Sequence, residues 1–219
     1  MRVVIAGGHG KIALILEQLL SARGDEVAGL IRNPAQAADL RAAGAAAVVL
    51  DLEQASVDEV AAALRGADAV VFAAGAGPGS GAARKQTVDR DAAILLADAA
   101  GAAGVSRYVM VSALAADDRS LDANYDEVFL AYMRAKSEAD ADVRARTGLR
   151  TTIVRPGGLT DEPGTGRVTV AESTGRGTIP RADVAHVLLA VLHEPETVGR
   201  TFEVISGETP IDAALYPTR

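Results

Sequence analysis

The sequence predicts an α/β fold built on a doubly wound parallel sheet, and three observations carry that expectation. Short, almost wholly apolar runs recur along the chain, helical segments separate them, and a glycine-rich turn joins the first run to the first helix. Strands are expected at Arg2–Ala6, Glu26–Ile31, Ala46–Leu50, Ala69–Ala73, Arg107–Val111 and Thr151–Arg155. Their continuous apolar character suits strands covered on both faces.

Helices are expected over Lys11–Ala22, Pro34–Ala43, Val57–Leu64, Ala83–Ala103, Tyr125–Arg146 and Ala182–His193. Asn33–Pro34 reads as an N-cap followed by proline at the first helical position, and Ser56-Val57-Asp58-Glu59 as a capping box. Gly24, Gly44, Gly104 and Gly148 fall where helices should stop. Six strands make two βαβαβ halves, so residues 1–155 read as the core of a single domain. Residues 156–219 begin rich in Gly, Pro and Thr, with strands expected at Arg167–Ala171 and Thr201–Ile205. That segment is too short for a domain of its own and reads as a short C-terminal cap on the substrate side.

Composition narrows the function classes. The 219 residues carry 29 acidic and 22 basic side chains, and the resulting charge of −7 disfavours nucleic-acid partners, whose phosphates need a basic face. Cysteine is absent, which excludes disulfides, zinc–thiolate sites and cysteine nucleophiles. His9, His186 and His193 share no ligand spacing, so no metal is expected. No apolar run reaches the length of a membrane span. Met1–Arg2 leads straight into the strand-like Val3–Val4–Ile5, so no secretory leader is read there and a cytoplasmic location is expected.

Gly7-Gly8-His9-Gly10-Lys11-Ile12-Ala13 lies between the first strand and the first helix. Gly7 permits a tight turn, Gly10 allows close approach of a pyrophosphate, and the amides of Lys11 and Ile12 face it at the positive end of the helix. Ala13 stands where a third glycine is usual and is still small enough for close packing. The second strand ends at Arg32 instead of an acidic residue. Its guanidinium suits a 2′-phosphate, predicting NADP(H) over NAD(H), although a solvated surface arginine is the plainer alternative. Asp51 and Leu52 close the third strand, where a carboxylate can meet an adenine amino group or simply end a strand. Ala73, Ala74 and Gly75 close the fourth with small residues that let a cofactor lie against backbone. Gly77-Pro78-Gly79-Ser80-Gly81 lacks the Gly-Lys-Ser/Thr ending of a nucleotide-triphosphate loop and reads as a connection beside the site.

Tyr132 and Lys136 are four residues apart and share a helix face, while Ser112 ends the fifth strand at the carboxyl edge. Together they can reduce a carbonyl. Tyr132 would give a proton to the nascent alkoxide, Lys136 would lower the tyrosine pKa and hold the nicotinamide ribose, and Ser112 would orient the carbonyl. An amphipathic helix with an incidental aromatic is the alternative for the Tyr–Lys pair alone.

Taken together, Gly7–Ala13, Tyr108–Ser112, Tyr132–Lys136, Arg155–Thr160 and Arg181–Ala185 resemble the short-chain dehydrogenase/reductase superfamily. The likeness is to its atypical, single-domain, epimerase/dehydratase-like branch and covers nearly the whole chain. It implies a Rossmann-type fold, a nicotinamide bordered by Pro156, Gly157 and Leu159, and scaffold roles for Arg181 and Asp183. The stretch from Ser112 to Tyr132, which includes the acidic Asp117–Asp122, is longer and more acidic than in many typical members. Sugar-nucleotide epimerases carry a larger C-terminal domain than residues 160–219 can supply. The reading is therefore an NADPH-dependent oxidoreductase acting on a small carbonyl, quinone or flavin-like acceptor, as a monomer or homodimer. The rival is a non-catalytic NADP(H)-binding redox sensor, and hydride transfer that does not need Tyr132 is a third reading.

Overall fold

A computed structural model describes residues 1–77, 79–118, 120 and 125–216. From the N-terminus, β1 (Arg2–Ala6), α1 (Lys11–Ala22) and β2 (Glu26–Ile31) lead to a 3₁₀ turn (Pro34–Gln36) that runs into α2 (Ala37–Ala42). Next come β3 (Ala46–Val49), α3 (Val57–Leu64) and β4 (Ala69–Phe72). An interrupted helix follows, made of α4 (Gly81–Arg84), a π-helical stretch (Lys85–Asp91) and α5 (Ala92–Ala102). The chain then forms β5 (Arg107–Val111), α6 (Glu127–Ala145), β6 (Arg150–Pro156), β7 (Gly158–Thr160), β8 (Arg167–Ala171) and β9 (Thr178–Pro180). It closes with α7 (Arg181–His193), β10 (Thr201–Ser206), β11 (Thr209–Pro210) and α8 (Ile211–Leu215).

The main sheet has the order β11-β8-β10-β6-β5-β4-β1-β2-β3. Strands β1 to β6 and β10 are parallel, and β8 runs antiparallel to β10. This is a doubly wound α/β sheet. The chain winds outward from β1 to β3 and then returns to β4 on the other side of β1, which opens a crevice at the carboxyl ends of β1 and β4. Alternation along the central strands explains why they read as unbroken apolar runs. Val3, Ile5, Val71 and Val109 pack against Leu16 and Leu20 of α1 and Val187 and Leu188 of α7. Val4, Ala6, Val70 and Met110 face the opposite way, onto Val60 of α3, Leu96 of α5 and Val143 of α6. Burial of each larger side chain stabilises the fold by about 1.5–3 kcal/mol.

Local chemistry sets the element ends. Ser56 and Glu59 form the expected capping box at α3, and Asn33 accepts from the Ala35 amide. Gly24, Gly44 and Gly104 adopt positive φ at helix exits. Gly148 does not, because α6 ends at Arg146 in extended backbone two residues earlier. The helix expected over Pro34–Ala43 is divided, with the proline-led 3₁₀ turn preceding α2. The helix expected over Ala83–Ala103 starts earlier and contains the π-helical stretch, which turns Lys85 and Asp89 inward. The final third adds β10, β8 and β11 to the sheet edge and a small parallel ladder of β7 and β9 beyond the end of β6. Pro78 of the glycine-rich connection, and Arg119, Leu121 and Asp122 of the acidic stretch, lie outside the described residues. Among the described residues no helix is long and apolar enough to cross a membrane.

Candidate functional site

At the crevice between β1 and β4, Gly7 turns with φ +80°, and a Cβ there would lie 2.6 Å from the Ala74 Cα. The first helical turn and the β4 edge can approach this closely only because residue 7 is glycine. Gly8 has a packing duty that the sequence left unassigned, since its Cβ would meet the Gly29 Cα at 2.7 Å. Gly10 donates its amide to the Gly7 carbonyl at 2.8 Å and serves as the N-cap of α1 without offering a side-chain acceptor. The first-turn amides, including those of Lys11 and Ile12, therefore lack a side-chain cap and can receive an anion. The Ile12 side chain packs onto the core.

A cavity of about 260 Å³ extends from this turn, lined by Gly7, Gly10, Arg32, Asp51, Leu52, Ala73, Ala74 and Gly75 among others. The structure thus brings together most of the dinucleotide-contacting residues expected from the sequence. Two further lining residues, Glu53 and Arg84, were not read from the sequence. Glu53 binds Arg84 at 2.6 Å and Arg32 at 3.3 Å, and accepts from the Thr87 hydroxyl at 2.7 Å. The Arg84 hydrogen bond holds the Glu53 carboxyl below its usual range. Asp51 turns back onto the Glu53 amide at 3.0 Å. An uncapped helix start and a glycine cradle fit a dinucleotide.

At the other end of the crevice, Lys11 does not stand free. Its Nζ lies 2.5 Å from Asp161, which Arg181 also binds at 2.7 Å. Arg181 thus ties the α7 start to Asp161, while Asp183 is buried and accepts from the Thr165 and Gly166 amides. His9, next in the turn, meets Asp39 at 2.7 Å. Pro156 ends β6 and accepts from the Leu114 amide, Gly157 lies against Gly177, and Leu159 pairs with Ile179. None of these three lines the 260 Å³ cavity.

Tyr132 and Lys136 do share a face of α6. Lys136 is buried, donates to the Val111 carbonyl at 3.2 Å, and pairs with Asp89 at 3.4 Å. Its Nζ stands 5.9 Å from the Tyr132 ring centre, and Lys85 stands 5.4 Å from the same ring. The expected lowering of the tyrosine pKa is corrected. Burial first, and then the charges of Asp89 and Asp140, push the phenol upward. Asp89 comes from the π-helical stretch, where the inserted residue re-aims side chains toward the site.

Ser112 has a partner that the sequence did not reveal. Its hydroxyl donates to Asp140 at 2.9 Å, and Arg155 binds Asp140 and Asp117, each at 2.7 Å. Ser112 is 4% exposed, and its proton is engaged by Asp140 inside the fold. Desolvation raises the Asp140 carboxyl, while Arg155, Ser112 and Lys136 pull it back. A sequence signal for Asp140 existed, since Tyr132, Lys136 and Asp140 repeat every four residues along α6. Among the described residues no group of three or more His, Asp or Glu side chains is placed to hold a metal.

Fold and site together define a dinucleotide-binding α/β protein. The chain belongs to the NAD(P)H-binding family, whose model matches residues 7–195. It is 43% identical, over 216 residues covering 98% of this chain and 99% of the other, to a Bacillus subtilis (strain 168) protein named "Uncharacterized sugar epimerase YhfK". Among solved structures, "Putative NAD-dependent epimerase/dehydratase from Bacillus halodurans" superposes with a TM-score of 0.90 at 37% identity, covering 98% of both chains. The oxidoreductase ylbE from Lactococcus lactis superposes with a TM-score of 0.86 at 26% identity, covering 98% of this chain and 95% of that one. The chain stands with the atypical, epimerase/dehydratase-like short-chain dehydrogenase/reductases.

Proposed function

We propose that the protein is an NADPH-dependent oxidoreductase that reduces a small carbonyl, quinone or flavin-like acceptor. The observation that carries this reading is the Tyr132–Lys136 pair on one face of α6, with the Lys136 Nζ 5.9 Å from the phenol ring centre and anchored on the Val111 carbonyl at the end of β5. When bound, the dinucleotide supplies a hydride, so the acceptor gains two electrons and needs one further proton. Tyr132 holds that proton and gives it to the acceptor atom on which negative charge develops. An ammonium has three N–H donors. Lys136 spends one on the Val111 carbonyl and pairs with Asp89, which leaves an N–H to hold a ribose hydroxyl.

Arg32 and Arg84 converge on Glu53 with planar donor forks, which supports a 2′-phosphate and hence NADP(H), with NAD(H) as the alternative. Ser112, engaged with Asp140, acts here as a positioning residue that ties α6 to β5 and does not contact substrate. That favours the quinone and flavin-like acceptors, which need no second hydroxyl to orient them.

The test is oxidation of NADPH and NADH by the purified chain against aldehydes, quinones and flavins, with UDP-glucose plus NAD⁺ as a control. The expected result is NADPH oxidation with at least one acceptor class and no change in the sugar. Tight NADPH binding without turnover would replace the proposal with a dinucleotide sensor, and conversion of UDP-glucose would replace it with an epimerase.

A further inference from the structure

A second cavity, of about 610 Å³, opens beyond the carboxyl end of β5 and is lined by Leu114, Ala115, Phe129, Met133 and Arg176 among others. Its size is that of a small-molecule site. Two walls of this cavity are fastened by one buried carboxylate. Glu203 of β10, 4% exposed, accepts from the Ala115 amide at 2.8 Å and from the Thr174 amide at 2.7 Å. Ala115 adopts φ +59°, a left-handed conformation that costs an alanine about 1 kcal/mol or more. The Glu203 bond holds Ala115 there, so the chain carries local strain at the cavity wall.

The remaining lining is chemically distinctive. Two of the chain's seven aromatic residues, Tyr125 and Phe129, line one side. Tyr125 stacks on Phe129 with ring centres 4.6 Å apart and planes at 28°, and Phe129 lies 6.3 Å from Tyr132. The row therefore runs from the cavity rim to the proposed proton donor. At the rim, Arg176 donates to the Tyr125 hydroxyl at 3.1 Å and has no carboxylate partner among the described residues. Of the two acidic residues in the lining, Glu203 is taken by backbone amides, and Asp118 accepts from the Ser120 amide and hydroxyl.

We propose that this cavity binds the acceptor, and that the acceptor is a flat, conjugated molecule bearing an acidic substituent, its ring against Phe129 and its anion on Arg176. Flat rings gain from offset stacking on aromatic side chains, and a guanidinium recognises an oxyanion through paired donors. This assignment rests on the reductase reading for its place in the reaction, but the binding it describes can be measured without turnover.

The probes are anthraquinone-2-sulfonate, neutral 2-(hydroxymethyl)anthraquinone and the non-aromatic anion octanesulfonate. Each is measured by equilibrium dialysis against the full chain with saturating NADP⁺, so that no hydride is available. Anthraquinone-2-sulfonate should bind about tenfold tighter than either control. Arg176→Gln should abolish the preference over the neutral quinone, Arg176→Lys should restore part of it, and Phe129→Leu should weaken both quinones but not octanesulfonate. Unchanged thermal unfolding shows that each variant is folded. Equal binding of the neutral quinone, equal binding of octanesulfonate, or indifference to Arg176→Gln would overturn the proposal. Arg176-dependent binding without NADPH oxidation by any acceptor would instead leave the cavity assignment standing and defeat the reductase reading. Oxidation of NADPH by carbonyls or quinones without Arg176-dependent binding would do the reverse.

Discussion

Replacing Glu17 with glutamine probes the packing beneath the glycine turn. Glu17 lies in α1 with no exposed surface, and neither carboxyl oxygen has a hydrogen-bond partner among the described residues. Its Oε1 sits against backbone, 2.5 Å from where a Cβ on Gly29 would be and 3.1 Å from one on Gly8. Burial raises the carboxyl from 4.5 to about 8. The unfolded chain releases this proton near its ordinary value, whereas the folded chain keeps it until about pH 8. Between those values the folded state binds one proton more, so stability falls as pH rises. The slope is about 1.36 kcal/mol per pH unit, and the interval gives an upper limit of about 4–5 kcal/mol. Relaxation and water entry around a buried ion reduce such figures, so about 2 kcal/mol is the working expectation. Glutamine keeps the shape of the protonated acid without the titration. Urea unfolding of both proteins from about pH 5 to about pH 9 isolates this group, because the other titrations cancel in the difference. The variant should match the parent at the acid end and exceed it by about 2 kcal/mol at the alkaline end. A difference that does not change with pH would refute the argument.

Three further outcomes are expected. Gly7→Ala places a Cβ 2.6 Å from the Ala74 Cα at φ +80°, so thermal unfolding should show a loss of about 2 kcal/mol and an NADPH titration a weaker complex. Arg84→Ala removes the closer of the two guanidiniums at Glu53, and calorimetry should show the NADPH Kd rising about tenfold while that for NADH changes little. Arg155→Met leaves Asp140 buried without its 2.7 Å partner, a cost of about 3–5 kcal/mol in urea unfolding that Asp140→Asn in the same chain should partly reverse.

The sheet was legible because parallel strands buried on both faces leave unbroken apolar runs, and the chain places Val3–Ala6 and Ala69–Phe72 with no exposed surface. The capping box at Ser56 and the glycine turn were legible because their chemistry is local. What escaped depends on distance or on a single inserted residue. The π-helical stretch that turns Asp89 toward Lys136 sits in an alanine-rich helix, where one extra residue hardly disturbs the apolar pattern. Ser112 looked available because Asp140, which takes its hydroxyl, is 28 residues away. The partners Glu53 and Arg84 lie 31 residues apart, and Arg176 meets Tyr125 across 51, so neither juxtaposition has a sequence spacing to betray it. The aromatic row itself was visible as Tyr125, Phe129 and Tyr132 at helical intervals, but only the folded chain shows what it faces.

The central claim is that Tyr132 supplies a proton as the acceptor is reduced. It is tested most directly by Tyr132→Phe, with NADPH affinity and steady-state NADPH oxidation measured on the same preparation. The account predicts unchanged affinity and a fall in kcat of about 100-fold or more. Oxidation at the parent's rate with unchanged affinity would contradict it, and would assign the reduction to hydride transfer without the tyrosine.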